Sequence, residues 1–220
     1  MKKNGFTLAE VLITLAIIGV VATLTLPALM TNTAEQQAKT AFKKGINTMT
    51  EAVQMNQAIE GFDYGALSSN STSDEDSRSL YGILAKRTNI DYAKTNDQDS
   101  ADVKDVKAQV TANYAVFLRD GAAVIFNPAG TLKTVEAVKK LEDDGLIHGV
   151  PIIYDTNGIK GPNILSNCDG DATKTSKDGY SDKGKTCTKD KRVIKDQFGM
   201  RLRGDYVVPN GPAARWAFEN

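Results

Sequence analysis

Histidine is almost missing from this chain: His148 is the only one in 220 residues. No Ser-His-Asp, Cys-His, HExxH or P-loop pattern accompanies it. No enzymatic activity is therefore expected. Cysteine is nearly as scarce, with Cys168 and Cys187 alone. Two thiols without neighbouring histidines make a poor zinc site. A charge excess of either sign is also lacking, since Lys plus Arg and Asp plus Glu both number 27. Non-specific nucleic-acid binding needs clustered basic charge, so no nucleic-acid partner is expected.

What the chain does have is a long apolar run near its N terminus. From Phe6 to Met30 there is no basic residue and a single acid, Glu10. A run of ~20 apolar residues can span a bilayer as a helix. Lys2 and Lys3 precede it. Basic flanks stay on the cytoplasmic side, so the remainder is expected to face outward from the cytoplasmic membrane. A carboxylate within such a run is costly and usually functional, with a partner to be found.

The segment Gly5-Phe6-Thr7-Leu8-Ala9-Glu10, behind a short basic leader, resembles the N terminus of type IV pilins and type II secretion pseudopilins. The family pattern is a small residue at a cleavage point, then usually Phe, then a glutamate four residues on. Pro27 fits the family's proline near the membrane exit. The resemblance covers about thirty residues and implies several things. A prepilin peptidase would cleave after Gly5, Phe6 would be N-methylated, and the product would join an assembly platform in the inner membrane. It would then polymerise with other pilin or pseudopilin subunits into a helical filament. Cleavage would give Phe6 a positive amine, and a buried carboxylate persists when it is paired with a cation. Glu10 of one subunit could thus meet the Phe6 amine of the next and fix the register of otherwise featureless helices.

Other readings compete. Val20-Val21-Ala22 could serve as a signal-peptide cleavage site, although a glutamate beside the apolar core and a run long enough to span argue against it. The helix could also be a plain anchor for an extracytoplasmic binding or adhesin domain that never polymerises. A secreted hydrolase is a third class.

The expected organisation is a leader at 1–5, a transmembrane and assembly helix at 6–30, an amphipathic continuation at 31–60, and a head at 61–220. Phe42, Ile46, Met49 and Val53 recur at helical spacing and predict a stripe packed on the head's own sheet. Pro27 removes a backbone donor and is expected to kink the helix. Residues 79–87 read as a short helix and 132–144 as a short helix or irregular excursion. Strand-like runs at 113–118 and 122–127 flank Arg119-Asp120-Gly121, a strong hairpin signal. Residues 150–155 read as another strand, and 200–208 as a final hairpin broken at Gly204-Asp205. One long helix followed by an antiparallel sheet makes the class α+β and pilin-like.

A second resemblance lies further on. Asp155-Thr156-Asn157-Gly158, then Lys160-Gly161-Pro162-Asn163, looks like the D-x-N-G…GPN segment of some pseudopilins and minor pilins, with Asp196-Gln197-Phe198-Gly199 in place of the D-x-F/W that follows. The chain departs from that pattern by inserting Ser166–Arg192. Such a loop can hold calcium in related proteins. Asp155, Asn157 and Asp196 would then give side-chain oxygens and Ile159 a carbonyl, a set short of charge for an ion that takes six to eight oxygens. The competing reading is a turn in which Asp155 and Asn157 bond their own backbone. Cys168 and Cys187 bracket a stretch with almost no apolar residue. In an oxidising compartment they are expected to form a disulfide.

Overall fold

The computed structural model describes residues 5–61, 73–95, 114–126, 150–158, 160–173, 186–203 and 206–220. The elements in chain order are α1 (Leu8–Glu60), α2 (Leu80–Arg87), β1 (Ile90–Thr95), β2 (Tyr114–Leu118), β3 (Ala123–Phe126), β4 (Val150–Asp155), β5 (Gln197–Arg203), β6 (Tyr206–Pro209) and a C-terminal α3 (Pro212–Glu219). The chain is α+β. It divides into two compact units, Met1–Gln37 and Ala38–Asn220, and α1 runs from one into the other.

The first unit holds the apolar half of α1, which has no apolar face and polar face to set against each other. Leu, Ile and Val side chains project all round it and are exposed, Leu24 by 75% and Ile18 by 63%. A helix apolar on every side needs an apolar surrounding. Pro27 lies inside α1 without ending it.

In the second unit the same helix becomes amphipathic. Phe42, Ile46, Met49 and Val53 lie on one face, as their spacing predicts, and all four are buried in the main core. Phe42 stacks on Phe198 of β5, with ring centroids 4.4 Å apart. Gly45 sits in the same stripe for a steric reason. A Cβ there would overlap the buried ring of Tyr154 on β4. Mid-helix glycine costs about 1 kcal/mol in propensity relative to alanine, and here it admits Tyr154, the largest fully buried side chain among the described residues.

The six strands form one antiparallel sheet in sequential order, β1 through β6. Successive residues of a strand face opposite sides. Val116, Val124, Ile152, Tyr154 and Met200 join the α1 core, while Ala115, Phe117, Ala123, Ile125 and Ile153 form a second buried cluster on the other face. The Asp120-Gly121 turn joins β2 to β3, as its sequence predicts, with Gly121 N donating to Leu118 O at 3.0 Å. Lys44 of α1 reaches Asp120 at 2.8 Å. Partial burial raises the Asp120 pKa. The Lys44 hydrogen bond and the Ala122 N–H outweigh that effect and hold it below the usual value.

α2 matches its expected span. Ser79 caps it by accepting from Gly82 N at 2.9 Å, and Arg87 ties it to Glu60 of α1 at 2.7 Å. The final hairpin is longer than its sequence suggested, because β5 begins at Gln197. Residues 132–144, expected to form a short helix or irregular excursion, lie outside the described residues. Two elements were not anticipated. β1 is an edge strand, and α3 starts with Pro212 in its first turn after Gly211. The Trp216 ring of α3 carries the Lys39 ammonium 4.5 Å from its centroid and the Arg192 guanidinium 3.6 Å from it. Each is a cation–π contact within the ~6 Å range of that interaction.

Candidate functional site

Gly5, Phe6 and Thr7 precede the first helical residue, Leu8. Phe6 is 89% exposed. Thr7 is the residue on which the helix starts, and its relation to Glu10 is reciprocal. The Thr7 N–H donates to Glu10 Oε2 at 2.7 Å, and the Thr7 hydroxyl donates to the same oxygen at 2.8 Å. The Glu10 N–H in turn donates to Thr7 Oγ1 at 3.3 Å. This is a capping box: two N-terminal amides that the helix cannot satisfy are satisfied by two side chains three residues apart. Among the described residues Glu10 Oε1 accepts no hydrogen bond.

Further along, four threonine hydroxyls find a partner within their own helix. Thr14 donates to Val11 O at 2.9 Å, Thr23 to Val20 O at 2.8 Å, Thr25 to Val21 O at 3.0 Å and Thr33 to Leu29 O at 2.8 Å. Such bonds leave these four hydroxyls satisfied within the helix, as an apolar surrounding would require. Among the described residues α1 is the one helix long and apolar enough to cross a membrane, and none of its apolar window is buried.

The second candidate is the turn after β4. Asp155 is buried. Its Oδ1 accepts from Asn157 N at 3.1 Å and Gly158 N at 2.9 Å, and its Oδ2 accepts from Gln197 Nε2 at 2.9 Å. The Asn163 amide, with its nitrogen turned inward, donates to the same Oδ2 and to the Gly158 and Lys160 carbonyls, at 3.2 Å each. Gly158 has φ 65°, a left-handed value that favours glycine. Asp196 caps the following segment, accepting from Asn163 N at 2.6 Å and Ile164 N at 2.9 Å. Burial, and the nearby Asp196 charge, push the Asp155 carboxyl up to about 7, against the hydrogen bonds from Gln197 and the turn amides.

Both carboxylates already accept from the chain's own donors, and Ile159 lies outside the described residues. Among the described residues no three His, Cys, Asp or Glu side chains come together. Among the described residues, Asn157 Oδ1 and Gln197 Oε1 are buried acceptors without donors. The arrangement is an Asx turn, with Asp155 Oδ1 accepting from the Asn157 and Gly158 amides.

Cys168 and Cys187 form a disulfide with Cα atoms 5.0 Å apart. Beside it, the Asn167 and Val193 backbones exchange hydrogen bonds at 2.9 Å.

Residues 1–26 match the family described as the prokaryotic N-terminal methylation motif, the signature of type IV pilins and pseudopilins. The matched segment contains Gly5, Phe6, Thr7 and Glu10 and most of the exposed apolar helix. No curated protein and no solved structure matches the chain. Sequence reasoning singled out Glu10 but missed Thr7 as its partner. The signal was present as T-x-x-E directly before an apolar run.

Proposed function

We propose that this protein is a structural subunit of a type IV pilus or a type II secretion pseudopilus. A prepilin peptidase cleaves it after Gly5, and the new Phe6 amine is methylated. The apolar helix holds the subunit in the inner membrane with its C-terminal domain extracytoplasmic. From there the assembly platform draws it out of the lipid into a filament of like subunits. Its work is mechanical, with helices in the filament core and heads around them. Glu10 meets the Phe6 amine of a neighbouring subunit and sets the axial register.

The carrying observation is the methylation motif at residues 1–26 set on a helix whose apolar surface has no cover of its own. The apolar helical run from Leu8 to Met30 needs lipid or other copies of itself, and the one carboxylate within it needs a cation.

Intact mass and N-terminal sequencing of native protein test the processing. The mature chain is expected to begin at Phe6; a start at Met1, or beyond Val20, would sink this function. Assembly is tested with Glu10→Ala, which makes the segment more apolar and so leaves insertion and cleavage intact. Sheared-filament yield is expected to collapse at equal membrane levels. Equal assembly would refute the register role. A wild type that forms no filament beside its full machinery would favour the anchored binding domain.

A further inference from the structure

Resting on that assembly reading, we infer that Thr7 is the positioning residue for Glu10, holding one carboxylate oxygen so that the other is presented to the neighbouring subunit's amine. Both Thr7 donors converge on Oε2, at 2.7 and 2.8 Å, while Oε1 accepts nothing among the described residues. A glutamate side chain has three rotatable bonds, and fixing it at one oxygen removes most of that freedom before the partner arrives.

The geometry also survives processing. The scissile bond joins Gly5 to Phe6, so the Thr7 N–H belongs to the next peptide and is retained. Cleavage adds an ammonium one residue before Thr7 and leaves the capping box in place. Thr7 and Glu10 satisfy each other in the lipid, which lowers the cost of carrying the carboxylate while the subunit waits. When a neighbour's Phe6 amine approaches, Oε1 accepts from it without Oε2 releasing Thr7. The same hydrogen bonds therefore hold the unassembled subunit and aim it.

The test compares wild type, Thr7→Val, Thr7→Ser, Glu10→Ala and Glu10→Gln in the full chain, in its own membrane with its machinery. Thr7→Val keeps the shape and loses the hydroxyl; Thr7→Ser keeps the hydroxyl. Readouts are leader cleavage by mass and the yield of intersubunit crosslinks between cysteines placed in neighbouring apolar helices. Thr7→Val is expected to be cleaved like wild type and to crosslink about tenfold less, the scale of one hydrogen bond to a charged group. Thr7→Ser should stay within about twofold of wild type, and Thr7→Val should add less than about twofold in the Glu10→Gln background, where no charge is left to aim. If Thr7→Val crosslinks like wild type while Glu10→Ala does not, the positioning role is overturned and the assembly reading stands. An equal Thr7→Val loss in the Glu10→Gln background also overturns it, because the hydroxyl would then act elsewhere. If wild type itself never crosslinks, the assembly reading fails and takes this inference with it.

Discussion

One helix, α1, faces two different surroundings, and the contrast shows what hydrophobic patterning encodes. In the Met1–Gln37 unit its leucines, isoleucines and valines are exposed on every side, whereas between Phe42 and Val53 a single stripe is buried and the opposite side is polar. The residue types overlap; their period differs. A period of 3.6 calls for one apolar face and therefore for a core within the chain, while a run without period calls for an apolar solvent. The two units should therefore respond differently to the same kind of substitution.

The largest effect is expected from truncating a side chain on the stripe. Phe42→Ala leaves a void under Phe198 and should cost the head about 3–5 kcal/mol, read by chemical denaturation in detergent. Ile17→Ala, a similar truncation in the exposed run, should leave the head's unfolding midpoint unchanged. Comparable losses would break the distinction between the units.

Replacing Cys168 and Cys187 with serine should come next, at about 3 kcal/mol, because the bridge closes a loop of roughly twenty residues with little to bury. The loss should appear in head unfolding and leave leader cleavage as it was. Two alkylatable thiols in freshly isolated native protein would contradict the bridge.

The two glycines of α1 offer a smaller and sharper comparison. Alanine is the better helix former by about 1 kcal/mol, so Gly19→Ala, with nothing within 4 Å of the added methyl, should be neutral or slightly stabilising to the helix. Gly45→Ala meets the Tyr154 ring and should destabilise the head by about 1–3 kcal/mol despite the same propensity gain. Equal outcomes would mean that α1 does not pack at Gly45 as described.

The smallest effect is a pH slope. Asp155 sits at about 7 in the folded head against 3.8 as an ordinary carboxyl, so between those values the folded state binds the extra proton. Head stability should accordingly be greatest near pH 4 and fall as pH rises towards 7, by at most about 1.4 kcal/mol per unit. Asp155→Asn should flatten that slope, because an amide does not take up a proton in this range. A slope unchanged in Asp155→Asn would place its origin elsewhere.

Much of this was legible in the residues. The long helix, the Phe42–Val53 stripe, the Asp120-Gly121 hairpin and the Asx turn at Asp155 each follow from local rules that tertiary context did not override. β1 was not, because Ile90-Asp91-Tyr92-Ala93-Lys94-Thr95 mixes charge into a strand with one paired neighbour. α3 carried a signal, proline just inside a helix start, but eight residues give too little period to read. The Thr7–Glu10 box is masked in the sequence because the same glutamate also reads as a costly charge in an apolar run. Gly45 could not be understood from sequence at all, since its reason, Tyr154, lies on a distant strand.

The sequential order of the sheet, β1 to β6 without a crossover, also bears on how such a molecule can change over generations. Every connection joins strands that are already neighbours, so lengthening one does not require rethreading the others. Doubling a connection costs only about 0.6 kcal/mol in closure entropy. A meander of this kind lets insertions accumulate in its connections while the helix stays under separate constraint. The head is thereby free to diversify its outer surface without renegotiating the helix that carries it.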